Sequence, residues 1–207
     1  MPLKDNIVHE AQKLFSLNGF LSTGINDIIA AAGTSKGGFY NLFTSKEDLF
    51  YAVLAESQSI WRDKVLYSIN KIDSPTEKLI KILNNYRDRY LKDSENFPGG
   101  CIFITFSVEL DDTRPHLMKE VNKGFEGFIA MLTRLLDDAI DQGELPKGLN
   151  SDSVADTLFA GMLGASLLFG VHKDISILDN SIDSLIEYIY FLNNMQMPDF
   201  IQQNEST

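Results

Sequence analysis

The sequence predicts an all-α protein, with three short N-terminal helices arranged as a helix-turn-helix and a larger helical bundle after them. Three observations carry this. Apolar residues recur at helical spacing in nearly every segment. Glycines, prolines and capping residues punctuate those segments where helices should stop and start. The one run suited to a strand, CIFITFSVEL at 101–110, has no second strand to pair with and is therefore read as a helix.

In the first segment Ile7, Ala11, Leu14 and Phe15 lie on one stripe, and Asn18-Gly19 supplies the stop. Two very short helices follow, at about 25–32 and 36–43, separated by Gly33-Thr34-Ser35. Thr44…Glu47 and Ser45…Asp48 both have capping-box spacing, so either hydroxyl can open the next helix, which extends to about residue 69. Asp73-Ser74-Pro75 starts a helix through about residue 92, with proline at the tolerated first position. Phe97-Pro98-Gly99-Gly100 is a break. Thr113-Arg114-Pro115 opens a long helix to about residue 142, ended by Gly143 and Pro146. The last two helices cover about 152–171 and 176–194, and the tail from Met197 is expected to fray. The 152–171 helix is apolar on most faces, as in a helix covered on all sides.

With 207 residues and 44% of them hydrophobic, the chain can bury a sizeable core, so a disordered protein is excluded. The single Cys101 excludes an intrachain disulfide and a cysteine zinc site, and fits a reducing compartment. The longest charge-free run, 157–171, is shorter than the ~20 apolar residues a spanning helix needs. The opening MPLKDNIVHE has acids where a signal peptide has its apolar region. These features lead to the expectation of a cytoplasmic protein with no membrane contact.

His9, His116 and His172 have no neighbours at metal-ligand spacing, and no phosphate loop, dinucleotide fingerprint or zinc-protease motif is present. No metal, no cofactor and no catalytic residue is expected. Glu109, Asp111 and Asp112 form an acidic cluster that reads as a solvated helix end rather than a general acid and base.

A net charge of −11 argues by itself against nucleic acid as a partner. Its distribution reverses that. Residues 1–50 sum to −1, their four lysines nearly balancing five acids, and the other −10 lies in residues 51–207. The near-neutral part holds the informative stretch, INDIIAAAGTSKGGFYNLFTSKEDLF. Two short helices joined by a tight glycine turn form a helix-turn-helix, whose second helix can lie in a DNA major groove. That geometry buries Ile28, Ala32, Phe39 and Phe43. Ala31 and Ala32 permit a close helix crossing, and Gly33 suits a left-handed turn residue. Lys36, Gly37, Gly38 and Tyr40 face outward. Two glycines early in a helix cost about 1 kcal/mol each in propensity, which close backbone approach to a phosphate would offset.

This stretch resembles the DNA-binding domain of TetR/AcrR-type transcriptional regulators, whose pattern reads approximately D-I-A-x-x-A-G-V-S-K-G-x-x-Y-x-x-F-x-S-K-E-x-L. Asp27-Ile28, Ala32-Gly33, Ser35-Lys36-Gly37, Tyr40, Phe43, Ser45-Lys46-Glu47 and Leu49 occupy those places in register. The resemblance implies a DNA-binding domain at 1–48, a ligand-binding and dimerisation domain at 49–207, and a DNA-contacting set of Thr34, Ser35, Lys36, Gly37, Gly38, Tyr40, Asn41, Leu42 and Lys46. Tyr40 and Lys46 would meet backbone phosphates. Gly38 and Asn41 would face base edges, where asparagine can pair bidentately with adenine. Gly38 removes a side chain often available there, and Leu42 stands where a histidine is frequent.

Residues 51–207 hold 16 of the 22 aromatic residues. A helical bundle so rich in rings can enclose an apolar pocket. The resemblance implies a small-molecule effector there, with Trp61, Tyr86, Tyr90, Phe103, Phe106, Phe125, Phe128 and Phe159 as candidates; ordinary core packing is the alternative for each. It also implies a homodimer through the last two helices, with Gly161 and Ala165 as candidates for a tight crossing. Cys101, at a helix start, is either a redox sensor with a lowered thiol pKa or a buried inert residue. The expected function is a ligand-responsive regulator, most simply a repressor bound to double-stranded operator DNA until an effector releases it. The alternatives are a constitutive DNA-binding dimer and an enzyme or carrier using the bundle pocket.

Overall fold

The structure is a computed structural model and describes residues 1–194; the tail expected to fray from Met197 lies outside the described residues. The described residues contain nine α-helices and no strand. They are α1 (Leu3–Asn18), α2 (Ile25–Ala31), α3 (Lys36–Tyr40), α4 (Lys46–Val65), α5 (Pro75–Asn85), α6 (Ile102–Leu110), α7 (Pro115–Asp141), α8 (Ser151–His172) and α9 (Ile175–Asn194). Two compact units emerge. One comprises Met1–Lys64 and Arg89–Gly124, the other Val65–Asp88 and the described residues from Phe125 onward.

In the first unit the α1 stripe is buried through Ile7, Ala11 and Phe15, with Leu14 half-buried. Gly19 ends the helix at φ +84°. Phe15 then joins a ring cluster: Phe20 lies 5.3 Å from it edge-on, Phe50 lies 5.3 Å from Phe20, and Phe106 lies 4.8 Å from Phe50. Such pairs contribute about 0.5–1.5 kcal/mol each beyond the apolar area they bury. Phe106 comes from α6, so α6 is part of this core. The 101–110 run is helical as the sequence predicts, because its apolar positions have helices to pack on. Gly99 has no room for a side chain, since a Cβ would collide with the Ser16 carbonyl. Below it, Gln12 donates to Asn96 O at 3.3 Å and accepts from Ser57 Oγ at 3.3 Å. These contacts seal buried polar groups against α1.

In the second unit α9 packs on α8 and α5. Ser74 caps α5 by accepting from Glu77 N, with Pro75 in the first turn. Glu144 accepts from Ser74 Oγ and Thr76 N at 2.8 and 2.9 Å, and those bonds hold its carboxyl below the usual range although burial opposes them. Arg87 donates to Asp183 at 2.6 Å and to Asp88 at 2.9 Å, tying the end of the α5 segment to α9.

Three boundaries differ from the periodicity reading. Helix α4 stops at Val65 rather than near 69, because the Asn85 amide donates to Val65 O and Tyr67 O and satisfies the carbonyls that another turn would have used. The α5 segment continues past Asn85 as a π-helix, Tyr86–Leu91, a widening that a 3.6-residue pattern cannot register. Helix α3 ends at Tyr40, and Leu42 and Phe43 finish in a tighter turn on Phe39 O. Helix α8 also departs from expectation: Val154, Ala155, Leu158, Met162 and Ala165 are covered, but Leu167, Leu168 and Val171 are 53%, 46% and 70% exposed. Over 22 residues it is long and apolar enough to cross a membrane, unlike its charge-free run alone. Its buried stripe is that of a helix packed on protein.

Candidate nucleic-acid interface

Helices α2 and α3 and their turn are fixed from inside the first unit. Asp27 accepts from Gly24 N at 2.8 Å and starts α2. Ile28 and Phe39 are fully buried, and Ala32 and Phe43 nearly so, as the helix-turn-helix pattern requires. The turn passes through Gly33 at φ +60°, which only glycine adopts without strain. Asn6 of α1 donates to Ala32 O at 2.8 Å, so the first helix holds the turn from below. Ser35 caps α3 by accepting from Gly38 N at 3.1 Å. Ser45 opens α4 in the same way, accepting from Asp48 N at 3.0 Å, which settles the choice between Thr44 and Ser45.

The opposite face of α3 is the uncommitted one. Lys36, Gly37, Tyr40, Asn41 and Leu42 are exposed, and Thr34 and Gly38 half-exposed. The Tyr40 ring leans edge-on against Phe39 at 5.3 Å, and the residue is 45% exposed. Among the described residues no hydrogen bond or ion pair engages the side chains of Thr34, Lys36 or Asn41, nor the Tyr40 hydroxyl. Donors held on a fixed frame and left unsatisfied by the protein are what a polyanion with base edges can use.

Lys46, which the resemblance gives a phosphate contact, is engaged within the protein. Its three N–H donors go to Phe20 O, Leu21 O and Thr23 O at 2.8, 3.3 and 2.9 Å, and its ammonium lies 4.5 Å above the Phe20 ring. Burial lowers its pKa, against the opposing field of Glu109. In this structure it holds the α1–α2 loop by its carbonyls. Glu109 holds the same loop by its N–H groups, accepting from Phe20 N at 2.6 Å and from Leu21 N at 3.5 Å. Glu109 is therefore not a solvated helix end, and Gly19 beside it has no space for a Cβ. Next to Lys46, Glu47 meets Arg114 at 3.4 Å and His116 at 3.0 Å.

The candidate effector residues divide between the two units. Trp61, Tyr90, Phe103 and Phe106 belong to the first, Tyr86, Phe125, Phe128 and Phe159 to the second. Phe106 is at the centre of the N-terminal ring cluster. Phe159 brings Phe125 and Phe128 together, at 5.1 and 5.8 Å. Cys101 is the N-cap residue of α6 and is buried, with its Sγ 3.4 Å from Tyr90 Oη. Gly161 serves the crossing of α8 and α9 within one chain, since a Cβ there would lie 2.5 Å from Leu185 Cδ2; Ala165 is buried. No group of three or more His, Cys, Asp or Glu that could hold a metal ion occurs among the described residues.

Known proteins resemble the chain over most of its length. The family model described as bacterial regulatory proteins, tetR family, matches residues 7–53, and that of the tetracyclin repressor-like C-terminal domain matches residues 75–185. The transcriptional repressor DhaR of Mycobacterium sp. (strain GP1) is 27% identical over 90% of this chain and 91% of its own. The repressor NemR of Escherichia coli K12 is 25% identical over 86% of this chain and 89% of its own. A TetR regulator from Chloroflexus aurantiacus has a solved structure that superposes with a TM-score of 0.84 at 28% identity, over 91% of this chain and 94% of that one. With the helix-turn-helix and the helical domain matched in order, the chain belongs to the TetR family and is a DNA-binding transcriptional regulator.

Proposed function

We propose that the protein is a homodimeric repressor whose two α3 helices enter successive major grooves of a palindromic operator, and that a small molecule bound in the helical domain releases it. The observation that carries this reading is the face of α3, where unsatisfied polar side chains stand on a frame of fully buried ones. Lys36 and the Tyr40 hydroxyl would meet phosphates, with Ser35 and the Gly37 backbone alongside. Asn41 would pair with a base edge and Leu42 touch a thymine methyl. Lys46 would act one step back, setting the loop that carries α2. Repressor names among the relatives, DhaR and NemR, support the sign of the regulation.

Two chains are needed because a five-residue recognition helix offers few contacts. The second copy would cover Leu167, Leu168 and Val171 of α8 and Tyr190 and Phe191 of α9, all exposed in the single chain. Gly164, with open space around it, suits a close approach there. The effector would be apolar or aromatic, taken among rings such as Phe125, Phe128 and Phe159. Release requires that it bind the non-binding arrangement more tightly, since equal affinity for both would shift nothing.

Operator duplexes selected from a random-sequence pool test the reading. Lys36→Ala should weaken binding and lower the slope of log affinity against log salt by about one phosphate contact, ~0.9, whereas Tyr40→Ala should weaken binding and leave that slope nearly unchanged, since a neutral hydroxyl releases no counterion. Undiminished binding in both variants would overturn it.

A further inference from the structure

Position 38 is one of two glycines on the reading helix, and there another residue fills the place a side chain would take. A Cβ built on Gly38 would lie 2.5 Å from Thr34 Oγ1, 3.5 Å from Ser35 Oγ and 3.7 Å from Leu3 Cδ2. Leu3 is apolar, and Ser35 Oγ is committed to Gly38 N. The Thr34 hydroxyl has no hydrogen-bond partner among the described residues. We propose, building on the DNA-reading assignment above, that Thr34 is a specificity-determining residue that contacts a base edge in the volume a side chain at position 38 would have occupied.

The backbone supports that role. Gly33 at φ +60° and the hydrogen bond from Thr34 N to Ile29 O at 3.1 Å fix the main chain on the N-terminal side of the recognition helix. A β-branched side chain on a fixed backbone has few rotamers, so the hydroxyl is pre-positioned. It can both donate and accept, and the methyl beside it can touch a thymine methyl. Asn41, the C-cap residue of α3, lies three residues beyond Gly38, so Thr34 and Asn41 would read neighbouring positions of one half-site. Thr34 and any side chain at 38 also exclude each other: an alanine at 38 displaces the Thr34 hydroxyl.

The experiment uses the full chain and base preferences measured on a randomised duplex pool, alongside thermal midpoints. Thr34→Val removes the hydroxyl at nearly constant volume. It is expected to keep the midpoint and the salt slope while flattening the preference at one position per half-site by about 3- to 10-fold, the worth of one hydrogen bond. Thr34→Ser should retain that preference. Gly38→Ala should alter the same position as Thr34→Val. An unchanged preference profile in Thr34→Val, with Asn41→Ala altering its own position, would overturn the proposal while leaving the DNA-reading assignment intact. If Lys36→Ala, Tyr40→Ala and Asn41→Ala also leave binding unchanged, both fall.

Discussion

Replacing Gly19 by alanine tests whether α6 and the α1–α2 loop are held by one carboxylate. Two costs arise. Gly19 sits at φ +84° and ψ 163°, a region open essentially to glycine alone, so a side chain there costs about 1–3 kcal/mol in backbone strain. The new Cβ would also occupy the place of the Glu109 carboxylate and push it off Phe20 N. Phe20 is almost fully buried, and losing a charge-assisted hydrogen bond to its N–H costs about 1.5–3 kcal/mol. The sum, roughly 2.5–6 kcal/mol, should lower the thermal midpoint by about 5–24 °C at ~2–4 °C per kcal/mol for a chain of this size. Glu109→Ala alone should show only the hydrogen-bond part. Because Gly19→Ala already breaks that bond, adding Glu109→Ala to it should cost almost nothing, giving a coupling of about 1.5–3 kcal/mol in a double-mutant cycle followed by circular dichroism. Additive costs would refute the clash and leave strain as the only effect of the substitution.

Three further outcomes are expected. Asp93 is nearly buried, and burial would raise its carboxyl pKa, but bonds from Lys64 at 2.7 Å and from the Asn96 side chain at 2.7 Å outweigh that and lower it. Its stabilisation is therefore present above the unfolded value of about 3.9 and lost as pH falls through the lower folded value, so Asp93→Asn should flatten the acid limb of midpoint against pH. An unchanged acid limb would exclude Asp93 as its source. Asn85→Ala leaves Val65 O and Tyr67 O without their donor and should cost about 1–3 kcal/mol in chemical denaturation, whereas a loss under 0.5 kcal/mol would show that water replaces the amide. Leu168→Asp with Val171→Asp places charge on the exposed α8 face and should leave folded monomers in light scattering; a persistent dimer would move the interface elsewhere.

Local signals were legible wherever one residue acts on its chain neighbours. Gly19, Ser35, Ser45, Ser74 and Gly33 end or start elements through bonds three or four residues long, and Ile28, Ala32, Phe39 and Phe43 are buried by spacing alone. What escaped depends on partners far along the chain. Glu109 reaches Phe20 across 89 residues, so an acidic helix end and a loop clamp look identical in sequence. Lys46 sits in the family pattern whether its ammonium turns to solvent or back onto Phe20, Leu21 and Thr23, and only the folded loop decides. The end of α4 is set by Asn85, 20 residues beyond Val65. The uncovered side of α8 was invisible because Leu167, Leu168 and Val171 have the composition of a core.

The separation of duties around α3 bears on how such proteins diverge. Phe39 and Phe43 carry the packing, while Lys36, Asn41 and Leu42 are exposed, Thr34 is half-exposed, and none of their side chains makes a hydrogen bond or ion pair among the described residues. Surface changes of that kind usually alter stability by less than about 0.5 kcal/mol. Selection can therefore rewrite the recognised sequence without first repairing the fold, and duplicated copies can acquire separate targets in single substitutions. Gly38 is the exception on that face, because a Cβ there would displace the Thr34 hydroxyl.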